Sequence, residues 1–142
     1  AEIPAVELDG GAGQVRVIAG EFRGAKGPAK TFSPVHLYDL RLKAGHRIEL
    51  DLPEGFNSSL FVLHGQVVVN ESQAVQEVEI ALLGQRGERV VLEAKQDATV
   101  LVMSGEPIAE PIARYGPFVM NTRDEIIQAV QDYQAGRMGH LD

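Results

Sequence analysis

Between Gln14 and Met103 the chain is built of short apolar runs closed by Gly, Pro or a polar turn, and nothing between them is periodic enough for a helix. Alternation at period two puts every second side chain on one face of a strand. In Gln14 to Ala19 the shared face is Val15, Val17 and Ala19. In Val35 to Leu42 it is Tyr38, Leu40 and Leu42, and in His46 to Leu52 it is Ile48, Leu50 and Leu52. Continuous apolar runs, Leu60 to Leu63 and Val67 to Val69, flank His64-Gly65. Val78 to Leu83, Arg89 to Glu93 and Thr99 to Met103 complete the set. Lys43-Ala44-Gly45, Pro53-Glu54-Gly55, Gly84 to Gly87 and Gln96-Asp97 supply the turns. Many short strands with no helix between them predict an all-β antiparallel sandwich or barrel.

The pattern changes after Tyr115-Gly116-Pro117-Phe118-Val119-Met120-Asn121. Thr122 and Glu125 have the spacing of a capping box, in which the hydroxyl takes a first-turn N–H and the carboxylate reaches back. Asp124 adds negative charge where the helix dipole favours it. Ile126, Ile127, Val130 and Tyr133 form one apolar stripe, and Gly136 suits the residue after a helix. The chain thus parses as one domain: a glycine-rich leader over 1–14, a β-barrel over 15–120, an amphipathic helix over 121–136 and a tail over 137–142. Its 142 residues suffice for one domain with a real core.

Composition removes several function classes. Thirteen Lys and Arg against twenty Asp and Glu give a formal charge of −7, which argues against a nucleic-acid partner. The absence of Cys excludes disulfides, thiolate metal sites and a Cys nucleophile. No apolar stretch approaches the ~20 residues of a membrane span, so a membrane partner is not expected either. A chain that opens on Ala1 is expected to be processed or a piece of a longer protein.

The four His are His36, His46, His64 and His140, with no His-x-His among them. His64 reads as a strand-end residue and His46 as solvent-facing. His36 has the parity of Tyr38 and Leu40, so it can point inward as a hydrogen-bonded core residue. Asp39 sits between Tyr38 and Leu40 and is expected to pair with Arg41 or a neighbouring strand. Ser58-Ser59 has no nearby base, and no G-x-S-x-G elbow is present. The residues alone therefore name no catalytic group, no cofactor-binding group and no metal ligand. His36, Tyr38, Asp39 and His64 are the candidates to line a pocket.

Tyr115 to Thr122, then Glu125-Ile126 and Tyr133-Gln134-Ala135-Gly136, resembles the C-terminal signature of pirin-family proteins. Gly105 to Pro111, Leu82-Leu83-Gly84, Leu63 to Val67 and Pro34 to Gly45 fit the same family, so the resemblance covers nearly the whole chain. It implies a cupin-type jelly roll, RmlC-like, that forms the second half of a bicupin. In the family the N-terminal cupin holds a metal, usually iron, through three His and one Glu. Some members are quercetin 2,3-dioxygenases, and mammalian pirin is a nuclear transcription cofactor.

None of those ligands transfers. The cupin His positions fall on residues such as Leu52 and Glu54, the Glu position on Ser58 or Ser59, and the late His position near Glu93 to Asp97. The resemblance therefore implies a metal-free, non-catalytic barrel, cytoplasmic, that packs against an N-terminal cupin. Iron or another divalent metal is expected only in that other cupin. A homodimer of the isolated domain, through the patch an absent partner would leave open, is a further expectation. The alternatives are part of a metal-dependent quercetin 2,3-dioxygenase-like enzyme, a small-molecule-binding barrel and a protein-interaction module. A filled interior would argue against the ligand-binding alternative.

Overall fold

Residues that share parity in the sequence are the ones removed from water. In the computed structural model, which describes residues 2–139, the chain falls into two units, Ala1–Pro107 and Ile108–Asp142. The first contains β1 (Ala5–Glu7), a 3-10 turn (Asp9–Gly11), β2 (Gly13–Ala19), β3 (Glu21–Phe22), β4 (Ala25–Lys26), β5 (Val35–Leu42) and β6 (Arg47–Asp51). It continues with β7 (Asn57–His64), β8 (Gln66–Val69), β9 (Gln73–Gln76), β10 (Ile80–Leu82), β11 (Arg89–Ala94) and β12 (Ala98–Gly105). A six-stranded sheet runs β1-β2-β5-β12-β7-β10, and a four-stranded sheet runs β6-β11-β8-β9. All the strand pairs are antiparallel. This is the expected all-β cupin jelly roll.

The inward faces form one core. Val15 and Val17 of β2, Tyr38, Leu40 and Leu42 of β5, and Ile48 and Leu50 of β6 are buried with Leu60, Val62, Val67, Leu92, Val100 and Val102. Each fully buried Leu or Val contributes roughly 1.5–3 kcal/mol relative to exposure. The turn from β7 to β8 is tight enough to need Gly65. Its φ is +81°, and a Cβ there would stand 2.2 Å from Asp97 O.

Several elements depart from the sequence reading. The leader over 1–14 is structured. β1 pairs with β2 at the sheet edge, and Leu8 and Ala12 are buried. β9 escapes a pattern search because Val75 is its only buried residue. The strand expected over Val78 to Leu83 shortens to Ile80–Leu82, because Val78 lies at φ 66° in a turn closed by Glu79 N–H donating to Gln76 O at 3.0 Å.

The barrel ends at Gly105 and does not extend to 120. In the second unit, among the described residues, β13 (Ala113–Tyr115) and β14 (Phe118–Met120) pair only with each other, and α1 (Arg123–Gln134) follows. The capping box is present. Glu125 N–H donates to Thr122 Oγ1 at 3.2 Å, and Glu125 Oε2 accepts from Thr122 N–H at 2.8 Å. Gly116, between β13 and β14, has φ +57°, and Gly136 after the helix has φ +69°. Ile126 and Ala129 are buried, and Ile112, Tyr115, Ile127 and Val130 line a groove of about 790 Å³. Among the described residues no helix is long and apolar enough to cross a membrane.

Candidate functional site

Three strands bring polar side chains together inside one end of the barrel. Register places Ser104 of β12 opposite His36 of β5 on one side and Ser58 of β7 on the other. The next inward row, Tyr38, Val102 and Leu60, is already core. Ser104 is only 3% exposed, and its hydroxyl lies 2.8 Å from that of Ser58. Buried hydroxyls need such partners, and these two satisfy each other.

His36 and Tyr38 form the second half of the cluster. The Tyr38 hydroxyl donates its one proton to Glu21 O at 2.7 Å. His36 Nδ1, 2.7 Å from Tyr38 Oη, is then the donor of that bond, which leaves the lone pair of the neutral ring on Nε2. Gly20 lets the β3 segment approach, since a Cβ there would lie 2.6 Å from Val35 O and 2.7 Å from His36 Nδ1. Phe22 packs 5.7 Å from the Tyr38 ring and Phe56 6.1 Å from the imidazole. Burial holds the His36 pKa below its ordinary 6.5. Burial, joined by the charge of Glu21, pushes Tyr38 up to about 12. Both shifts favour neutral side chains.

Two hydroxyls, an imidazole and a phenol can bind and orient polar groups. Among the described residues no hydrogen bond joins either serine to His36, so there is no nucleophile with an adjacent base. Ser58 and Phe56 line a cavity of about 90 Å³ with Leu52, Arg86 and Arg89, and His36 lines a separate open groove of about 400 Å³ with Gly20, Glu21, Pro34 and Val35. Pockets for organic ligands run to roughly 300–1,000 Å³.

The same place tests the cupin metal. Leu52 is buried in the core, and Glu54 is exposed and accepts from Gly87 N–H at 3.2 Å. Ser58 is held by Ser104, and Ser59 has outward parity. Among the described residues no three His, Asp or Glu side chains are grouped to hold a metal ion. An aliphatic side chain and paired hydroxyls do not fit iron, which takes imidazole and carboxylate donors.

The four pocket candidates do not converge. His36 and Tyr38 lie inside together. Asp39, one residue on, faces outward, 2.8 Å from Arg16 and 3.6 Å from Arg41, with Oδ1 buried and unpartnered. His64 ends β7, largely exposed, with Nδ1 2.8 Å from Glu77. His46 is half-buried, donating from Nδ1 to Ala44 O at 3.2 Å, and His140 lies outside the described residues. Sequence reasoning missed Ser104 and Phe56 as members of the cluster. Ser104 was detectable, because it has the parity of Val100 and Val102.

Comparison with known proteins agrees with this architecture. The family profile described as Pirin C-terminal cupin domain matches residues 37–139. The "Putative quercetin 2,3-dioxygenase" of Pseudomonas aeruginosa is 47% identical over 137 residues, covering 96% of this chain and 48% of that protein. Pirin of Mus musculus is 36% identical over 143 residues, covering 97% and 48%. The crystal structure of quercetin 2,3-dioxygenase from Acinetobacter baumannii superposes with a TM-score of 0.90 at 42% identity, covering 99% of this chain and 49% of that one. The chain spans about half the length of the curated relatives it matches. With the strand order, the capped helix and the sequence profile in agreement, the chain belongs to the pirin family, as its C-terminal cupin domain.

Proposed function

We propose that this domain is a metal-free, non-catalytic cupin of a cytoplasmic protein, which packs against a metal-binding N-terminal cupin and helps shape access to the metal there. The observation that carries the proposal is the donor set at the barrel end. Where a metal-binding cupin needs His and Glu, this barrel has Leu52 in the core and Ser58 closed on Ser104. The body of the barrel supports the same reading, since Leu40, Leu60, Val62, Leu92, Val100 and Val102 fill it at 0% exposure. The apolar groove between hairpin and helix in the second unit supplies surface for a partner.

A second reading is an iron-dependent dioxygenase acting on a flavonol such as quercetin. Its support is the name carried by the relatives in Pseudomonas and Acinetobacter. Metal analysis of this chain after exposure to ferrous iron, with a quercetin oxidation assay, separates the two. The proposal expects iron far below one per chain and oxidation no faster than in buffer. One tightly held iron per chain with flavonol turnover would establish the second reading instead.

A further inference from the structure

The first unit leaves five large apolar side chains exposed: Phe32, Leu63, Val78, Ile80 and Leu82. Four of them lie together. Ile80 and Leu82 belong to β10, Val78 to the turn that enters it, and Leu63 to β7, the strand beside it. Ile80 stands opposite Phe61, which carries the apolar surface onto the outer face of β7. β10 is also the last strand of its sheet, paired with β7 on one side; among the described residues no strand is hydrogen-bonded to its other edge, and β9 lines a cleft of about 510 Å³ with it.

The phase of the hydrogen bonds shows what that free edge offers. Val62 N–H donates to Glu79 O, and Leu83 N–H donates to Ser58 O, each at 3.0 Å. Bonded and non-bonded pairs alternate along an antiparallel ladder. Residues 79, 81 and 83 therefore turn their main-chain groups toward β7, and Ile80 and Leu82 turn theirs away from it. The two residues with exposed apolar side chains, 54% and 79%, thus also present the edge N–H and C=O groups. A free edge of this kind is a template for another strand.

Val78 points the same way. Its φ of 66° is the left-handed region at the third position of a turn, where Gly or Asn sits without strain. A β-branched residue there is an outlier, and such strain gathers at functional positions. Its side chain is 72% exposed, so packing within the fold does not explain its presence.

We infer that β10 pairs antiparallel with β10 of a second copy of this chain, about a two-fold axis at Ala81. In that register Ile80 of each copy faces Leu82 of the other, and each pair exchanges both main-chain bonds. Ala81 faces Ala81 as a non-bonded pair. The exposed Ile80 and Leu82 side chains then meet across the strands. The antiparallel course also brings the acidic approach to β10, with Glu77 and Glu79, toward the end that leads to the exposed Arg86 of the other copy. A surface complementary to itself closes as a dimer and not as a fibre. A three-residue strand makes that dimer weak and concentration-dependent.

Sedimentation of this chain over a range of concentrations tests the pairing, and the absence of Cys allows its register to be read. The wild type should pass from monomer to dimer, and Leu82→Lys should weaken association at least tenfold with an unchanged circular dichroism spectrum. Val78→Gly should weaken association while raising the thermal midpoint. Ala81→Cys places two thiols on a pair whose Cα atoms stand about 4.5 Å apart, within reach of a disulfide. It should cross-link on oxidation, and Phe32→Cys should not. A wild type that stays monomeric near millimolar concentration overturns the inference, as does a dimer indifferent to Leu82→Lys. Protection of the Ile80 and Leu82 amides in a longer, monomeric form of the protein would assign the edge to another segment and overturn it equally.

Discussion

The body of the barrel and the row at its end come from the same three strands, yet they are held by different physics. In the body, Leu40, Leu60, Val62, Val100 and Val102 exclude water by volume alone. At the end, His36, Tyr38, Ser58 and Ser104 are fixed by bonds that each need a particular partner. The body tolerates changes of shape that preserve volume. The row tolerates none that removes a donor or acceptor, because the group left behind is buried and unpaired. A packed body leaves the end as the place where a ligand or metal would enter, and there the two serine hydroxyls are committed to each other and His36 Nδ1 to Tyr38, which leaves His36 Nε2 as the open acceptor.

The contrast can be tested by substitution. Leu60→Ala, at 0% exposure, should cost about 2–5 kcal/mol in denaturant unfolding, because the rigid sheets around it collapse only partly into the space. Tyr38→Phe keeps the ring and its contact with Phe22 but leaves His36 Nδ1–H and Glu21 O without their partner. Its expected cost is about 1–3 kcal/mol by the same measurement. A larger loss at Tyr38 than at Leu60 would mean that the polar row, and not the apolar body, carries the fold.

Much of the body was legible in the sequence because parity is a local property. Tyr38, Leu40 and Leu42, or Ile48, Leu50 and Leu52, declare a shared face within one strand, and burial follows. The end row was legible only in part, because its logic runs across strands. Ser104 brings His36 and Ser58 together through register, and pairing partners sixty-eight and forty-six residues away leave no trace in a single strand's pattern. Asp39 shows the limit from the other side. Its neighbours in sequence suggested a pocket, but alternation sends it to the opposite face, where Arg16 holds it. The helix was legible because its cap and its stripe are both local. β9, with one buried residue, and β1, inside the glycine-rich leader, declare themselves only when paired.

The smallest expected effect is the pH dependence of the end row. Burial lowers the pKa of folded His36 below 6.5, so as pH falls the unfolded chain takes up the proton first. Where the unfolded state binds more protons, stability rises with pH. His36 should therefore contribute nothing to the slope above its ordinary value and should lower the melting temperature progressively as pH falls through about 6.5. Tyr38 acts at the other extreme. Its folded value of about 12 lies above the ordinary 10, so its contribution is whole below pH 10 and is lost as pH rises beyond it. His36→Asn isolates the acid effect of this residue, since the Asn amide can donate in place of Nδ1 without titrating. Melting curves taken from about pH 8 to about pH 5 should show a shallower acid slope in the variant than in the wild type. Equal slopes would mean that His36 takes its proton as readily folded as unfolded, and that the end of the barrel is as open to water as its body is closed.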